Sequence, residues 1–125
     1  MLTIIKTTLA PAAIGTYSQA VRCHNLLFVS GQVGLDPKTG QLAPDFNAQA
    51  LQAFANLKAI IEEAKTNLAS VLKLNVSVTD MNHFAAFNEI MMQFFKEPYP
   101  ARAVVGVAQL PKGALVEIEA TVFCG

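Results

Sequence analysis

The sequence predicts an α+β domain in which two helices pack on one face of a mixed β-sheet. Apolar residues recur at spacings of three and four after residue 45 and again after residue 80, the period of an amphipathic helix. Between residues 71 and 80, apolar and polar residues alternate, as they do in a half-buried strand. Short apolar runs bounded by turn residues fill most of the remaining chain. The predicted order is therefore β-β-β-α-β-α-β-β.

The first half of the chain contains three predicted strands and a helix. TIIKT is a short edge strand, and APAAIGTYSQ is an irregular loop. SQAVRCH and LLFVSG form a hairpin that turns at His24–Asn25, and DPKTG is a further turn. Asp45 is the N-cap of a helix of about twenty residues, and Lys58 and Glu62 form an exposed pair on it. The apolar face of this helix comprises Phe46, Ala50, Phe54, Leu57, Ile61 and Ala64.

The second half of the chain begins with the alternating strand VLKLNVSVTD, whose apolar face comprises Leu72, Leu74, Val76 and Val78. The second helix begins near Asp80 or Asn82 and stops before Pro98, because proline disfavours a helical conformation in the preceding residue. Its apolar residues are Phe84, Phe87, Ile90, Met91, Phe94 and Phe95. ARAVVGVAQL and ALVEIEATVF are the two closing strands.

Length and composition limit the possible function classes. The 125 residues fit one domain, spanning residues 1–125, and 53% of them are hydrophobic while 14% are charged. So much apolar surface in a small chain favours an oligomer. Nine basic and nine acidic residues give no net field to attract nucleic acid or a membrane surface. Apolar stretches of about ten residues are too short to span a bilayer, and no signal peptide is evident. We therefore expect a cytoplasmic protein with two free thiols, Cys23 and Cys124.

The closing strands carry charges in an otherwise apolar context. Alternation directs Val116, Ile118, Ala120 and Val122 to the core and places Glu117 and Glu119 on the opposite face. We expect Arg102 to share that small, apolar face with the two carboxylates. Two interpretations follow. Either the face is solvated, or another subunit covers it and the charges meet a ligand at its rim.

The spacing of these charges limits how they could act together. If the closing strands formed a simple hairpin around LPKG, Arg102 would pair near Val122 and Glu117 would lie roughly 16 Å away. One small ligand could not contact both side chains. Either the two strands are not neighbours, or the two residues meet across a subunit boundary.

The sequence resembles the RidA/YjgF family along nearly its whole length. The similar blocks are APAAIGTYSQAV, VSGQVGLDPKTG and VTDMNHFAAFNEIMMQFF, followed by the most specific feature, PAR with VEIEA at a set distance after it. The resemblance implies a chorismate-mutase-like fold, with a six-stranded mixed sheet, two helices on one face and the last strand inserted within the sheet. It also implies a homotrimer that packs its sheets inward and binds ligands in clefts between subunits.

The resemblance further implies hydrolytic deamination of small reactive 2-imino and enamine acids, such as 2-aminoacrylate and 2-iminobutanoate, without a metal or other cofactor. Arg102 then holds the substrate carboxylate, a role that suits a planar, two-pronged guanidinium. Glu117 positions or activates the attacking water. Glu119 is a competitor that spacing cannot separate from Glu117. The implied substrate-binding residues are Tyr17, Ser30, Gly31, Asn88, Ala103 and Val104.

The chain also departs from the family pattern. Val104 stands where many members have cysteine, which excludes a covalent thiol at that position and leaves water as the nucleophile. FFKEPYPAR is shorter than the usual connection, and this should reshape the rim of the cleft. The alternative function is a non-catalytic module that binds small carboxylates or protects against stress through the same clefts. A ribonuclease or translation-inhibitor function is last, because zero net charge and two tyrosines argue against RNA binding.

Overall fold

A six-stranded mixed sheet with two helices on one face forms the protein, which a computed structural model describes for residues 2–125. The strands lie in the order β1-β2-β3-β6-β4-β5, and the β4–β5 pair is parallel while the other neighbours are antiparallel. The inserted β6 excludes a hairpin of the two closing strands and confirms the predicted fold class. The elements are β1 (Leu2–Ile5), β2 (Ala20–Cys23), β3 (Leu26–Val33), α1 (Phe46–Glu63), β4 (Val71–Val78), α2 (Phe84–Met91), β5 (Ala101–Gly106) and β6 (Val116–Phe123).

Helix α1 agrees with its sequence pattern. The Asp45 side chain accepts a hydrogen bond from the Ala48 amide at 2.9 Å, which satisfies one of the free donors of the first turn. Lys58 and Glu62 form the predicted exposed pair at 3.7 Å. The predicted apolar face is buried against the sheet, as the exposures of its residues show: Phe46 4%, Ala50 0%, Phe54 0%, Leu57 0%, Ile61 0% and Ala64 3%.

Two buried amide side chains of α1 hold the chain segments on either side of it. Gln49 donates to the Ala43 carbonyl at 3.0 Å and accepts from the Leu115 amide at 2.8 Å, immediately before β6. Asn56 donates to the carbonyl oxygens of Val33 at 3.2 Å and Leu35 at 2.9 Å, where β3 ends. Buried polar groups are retained when they are hydrogen-bonded, and these bonds fix the end of β3 relative to the start of β6.

Strand β4 and helix α2 differ from their predictions. A register shift between Val71 and Lys73 turns Leu72 out of the core, so that Val71 is buried in its place. Helix α2 ends at Met91, after which the amides of Gln93 and Phe94 donate to carbonyl oxygens only three positions earlier, those of Ile90 and Met91. Phe95 is nevertheless buried. The apolar pattern therefore continues beyond the last residue of the helix.

The sheet has a core face against the helices and an open face on the other side. Val116, Ile118, Ala120 and Val122 are buried in the core face, as predicted. Glu117 and Glu119 alternate with them and lie on the open face. Large apolar side chains on the open face remain exposed to solvent: Ile4 56%, Phe28 49% and Val105 51%.

The placement of Arg102 on the same face as the two glutamates is wrong. Arg102 lies level with the buried Leu74 of β4, and Val104 lies level with Val76, so both side chains are on the helix side of the sheet. Small apolar residues occur on both faces of β5, and alternation alone therefore gives no contrast from which to assign its orientation.

Candidate functional site

The structure divides the predicted site residues into two groups. Tyr17, Ser30, Gly31 and Glu117 line one cavity of about 820 Å³. Arg102 and Asn88 line a separate groove of about 460 Å³ beside α2. Ala103 and Val104 follow Arg102 along β5 but line neither space; Ala103 lies on the open face, and Val104 packs against the core.

The first group is built around Glu117, at the start of β6. The β3–β6 ladder is irregular between Val29 and Gln32, and Gly31 lies in this bulge. A Cβ atom on Gly31 would lie 2.7 Å from Glu117 Cδ and 2.8 Å from Oε2. The backbone of Gly31 is not in the left-handed region, so glycine is needed here for space. The Glu117 carboxyl rests directly on this glycine.

Ser30 joins β3 to the loop that carries Tyr17. Its hydroxyl donates to the Ser18 carbonyl at 2.6 Å, and its amide donates to the Gln19 carbonyl at 2.9 Å. Gln19 is itself buried and bonded to Thr7, so the loop is anchored on both sides. Tyr17 is 51% exposed at the edge of the cavity.

The carboxyl group of Glu117 is electrostatically unusual. Burial, followed by the negative charge of Glu119, raises the pKa of the Glu117 carboxyl above its ordinary value. Both carboxylates line the same cavity, together with Lys112. Lys112 has a positive φ of 63° in the turn before β6. A carboxyl with a raised pKa beside a cavity can accept a proton and return it, which is the property of a general acid–base group.

The second group is built around Arg102, on the edge strand β5. Its Nη1 donates to Asn88 Oδ1 at 2.6 Å and contacts Met91 Sδ at 3.6 Å. The guanidinium carbon lies 5.4 Å from the centre of the Phe84 ring, a cation–π distance. Within residues 2–125, neither Nε nor Nη2 of Arg102 has a hydrogen-bond acceptor. One edge of the guanidinium is therefore held by α2, and the other edge is available to an anion.

Arg102 and Glu117 cannot meet within one chain. Arg102 is in register with Leu74, which is in register with Ala120, three residues from Glu117 along β6. Two strand spacings and three residues put their Cα atoms about 14 Å apart, and their side chains lie on opposite faces of the sheet. One small ligand can therefore contact only one of the two groups of a single chain.

Two other kinds of feature, a metal-binding cluster and a membrane-spanning helix, are absent from the part of the chain that the structure describes. Residues 2–125 contain no cluster of three histidine, cysteine or acidic side chains arranged to hold a metal ion. No helix within the same range has the length and apolar character needed to cross a bilayer.

Comparison with known proteins identifies the family. Residues 7–124 match the family described as Endoribonuclease L-PSP. A mouse protein named 2-iminobutanoate/2-iminopropanoate deaminase is 48% identical over 123 residues, which cover 98% of this chain and 91% of the mouse protein. The crystal structure of RidA from an Antarctic Psychrobacter species has a TM-score of 0.95 and 53% identity, covering 97% of this chain and 98% of that one. The chain belongs to the RidA/YjgF family.

A further solved structure shows a family member with a ligand. The crystal structure of E. coli TdcF with bound serine has a TM-score of 0.94 and 41% identity, covering 98% of this RidA-family chain and 99% of that one.

Two features of the site were missed by sequence reasoning. Phe84 and Met91 hold the Arg102 side chain, and Lys112 shares the cavity of Glu117. A signal for Phe84 exists, because it lies four residues before Asn88 and therefore on the same side of α2. Lys112 carried no comparable signal, since its position depends on how the LPKG turn folds against β3.

Proposed function

We propose that this chain hydrolyses small 2-imino acids and their enamine tautomers to 2-oxo acids and ammonia. The names of relatives at 45–48% identity support this general activity. Water adds to the carbon of the C=N bond, and the resulting carbinolamine expels ammonia, leaving a C=O bond. The reaction consumes one water and involves no oxidation, so the scheme needs no redox cofactor.

In this proposal Arg102 binds the substrate carboxylate. Its Nε and Nη2 can make two parallel charge-assisted hydrogen bonds to one carboxylate. Asn88 and Phe84 already hold the opposite edge and one face of the guanidinium. The fork is thus oriented before the substrate arrives, and this lowers the entropic cost of binding.

The observation that best supports hydrolysis is the raised pKa of Glu117 at the wall of a cavity. Ionised Glu117 would take a proton from the attacking water and pass it to the departing amine. A base with a pKa nearer to neutrality performs both transfers better than an ordinary glutamate does. Tyr17, Ser30 and Gly31 would surround the same substrate, whereas Ala103 and Val104 line neither cavity.

We further propose that the working unit is a homotrimer in which the Arg102 group of one subunit meets the Glu117 group of another. The separation of about 14 Å within a subunit supports this, because one small substrate cannot span it. The exposed apolar residues of the open face, Ile4, Phe28 and Val105, support burial of that face against other copies. Zero net charge favours small molecules over nucleic acid as partners, and we place the activity in the cytoplasm, where dehydratases would release such imines.

The test is a coupled assay in which threonine dehydratase generates 2-iminobutanoate in the presence of a trapping agent. The wild-type protein should accelerate release of 2-oxobutanoate. Arg102→Ala and Glu117→Gln should each strongly reduce the acceleration, and Glu62→Gln, a carboxylate change on the outer face of α1, should retain it. If the folded wild-type protein binds 2-oxobutanoate through Arg102 but gives no acceleration, the chain is a carboxylate-binding module.

A further inference from the structure

Beyond the residues assigned to the reaction, the groove at Arg102 carries side chains with no part in fixing the guanidinium. We propose that Met92, Tyr99 and Pro100 form a subsite that selects 2-imino acids with large apolar side chains. This inference rests on the proposed function.

The first support is the arrangement of α2. Phe84, Asn88 and Met92 follow one another at intervals of four, and Met92, the residue after the end of α2, keeps a helical backbone conformation, so the three lie along one stripe. Phe84 lies against the guanidinium, and Asn88 bonds its Nη1. Met92, the next residue on the stripe, does neither and lines the groove beyond Asn88. A ligand held by Arg102 would find Met92 beside it.

The second support is the chemistry of the groove wall. Met92 is 61% exposed and Tyr99 is 51% exposed, yet both line a groove whose charged group is Arg102. Ligand sites are typically lined by large apolar side chains beside a few fixed polar groups, and the guanidinium of Arg102 is such a group here. Methionine adapts its shape to different partners, and tyrosine offers a broad face with little entropy to lose.

The third support is the rigidity of the wall. Tyr99 lies between Pro98 and Pro100, so ring constraints limit the backbone on both sides of it. Phe95, a few residues earlier, is buried against the ring of Phe54 with centroids 5.9 Å apart. The connection from α2 to β5 is thus anchored at one end and stiff at the other. Tyr99 is held at the groove.

The size of the groove sets the class of substrate. In one chain the open groove has a volume of about 460 Å³, which is more than a three-carbon acid fills. The side chain of 2-iminopropanoate is a single methyl group and would leave this wall uncovered. A side chain derived from leucine or methionine would reach it. Each fully buried methylene favours binding by about fourfold. Because the extra side-chain atoms would be only partly buried, we expect their combined effect on kcat/KM to be about tenfold.

The experiment compares imines made in place by an L-amino-acid oxidase from leucine and from alanine, with catalase present and a trapping agent to report hydrolysis. For the wild type, kcat/KM should be about tenfold higher with the leucine-derived imine. Met92→Ala combined with Tyr99→Ala should remove most of this preference and change the alanine-derived rate by less than about twofold. Leu51→Ala, an exposed apolar residue on the outer side of α1, is the matched control and should keep the preference.

A second measurement does not depend on turnover. The stable product 4-methyl-2-oxopentanoate should bind wild type more tightly than pyruvate, and the double variant should lose that difference. Two results would overturn the subsite while leaving the deaminase proposal intact. One is an equal kcat/KM of the wild type for the large and the small imine, and the other is an equal loss of kcat/KM for both imines in the double variant. If the wild type accelerates neither imine but binds the larger oxo acid more tightly, the deaminase proposal fails and the subsite stands.

Discussion

Replacing Gly31 with alanine should disable Glu117 without unfolding the protein. The new Cβ would lie 2.7 Å from Glu117 Cδ, 2.8 Å from Oε2 and 3.0 Å from Cγ. Carbon atoms in contact are normally about 3.5–4.0 Å apart, so the carboxyl must withdraw by about 1 Å. A displacement of that size at a catalytic group can cost about 100-fold in rate, or about 2.7 kcal/mol of transition-state stabilisation.

The stability of the Gly31→Ala variant should change little. The obstructing atoms belong to the end of a flexible side chain, and the backbone of Gly31 is outside the left-handed region. Alanine also restricts the unfolded chain, which stabilises a protein by about 0.4–1 kcal/mol where the backbone tolerates it. We expect the free energy of unfolding in urea to stay within about 1 kcal/mol of wild type.

The assay is kcat/KM for 2-iminobutanoate in a double-mutant cycle with Glu117→Gln. If Gly31→Ala acts through Glu117, the losses in kcat/KM of the two single variants should not add in the double variant. The reason is that Glu117→Gln has already removed the carboxylate that the new methyl group would displace. Gly106→Ala is the matched control, since its Cβ would meet the flexible side chain of Met81 at 3.2 Å. Full activity in Gly31→Ala, or the same loss in the Glu117→Gln background, would refute the reasoning.

Three further predictions concern the two half-sites and the open face. Arg102→Lys keeps the charge but loses the two-pronged geometry, and steady-state kinetics should show KM raised by about tenfold or more; an unchanged KM would mean that the fork does not hold the carboxylate. Glu119→Gln removes the charge that helps raise the pKa of Glu117, so the acidic limb of the kcat/KM profile should move to lower pH, whereas an unmoved limb would assign that limb to another group. Val105→Asp puts a charge among the exposed apolar residues of the open face, and sedimentation velocity should then show smaller species with no deaminase activity. An active, intact trimer in that variant would contradict inward packing of the sheets.

The sequence contained enough information to predict the elements that depend on local period. The cap at Asp45 and the alternation from Val116 to Val122 were read correctly, because each residue's environment follows from its immediate neighbours. The exposure of Leu72 was not predictable in this way. It follows from a shift in register against β6, a strand more than forty residues further along the chain, and alternation within β4 contains no trace of it.

The candidate site shows the same limit more sharply. Family resemblance selected Arg102 and Glu117, but the face on which Arg102 lies depends on its pairing with Leu74. The pattern of β5 is apolar on both sides, and no reading of that strand alone distinguishes the two orientations. The contact between Asn88 and Arg102 likewise joins a helix to an edge strand, and sequence spacing across the intervening loop does not determine it.

The location of each charge follows from where its strand lies in the sheet. Strand β6 is central and its core face is covered, so a carboxylate at Glu117 can be accommodated only on the open face. Strand β5 is at the edge, where a long side chain on the helix side can still reach a solvent-filled groove beside α2. An arginine and a glutamate placed by these two rules point away from each other within one subunit. A reaction that needs both therefore needs a second copy, and loss of the assembly should abolish activity even when Arg102 and Glu117 are intact.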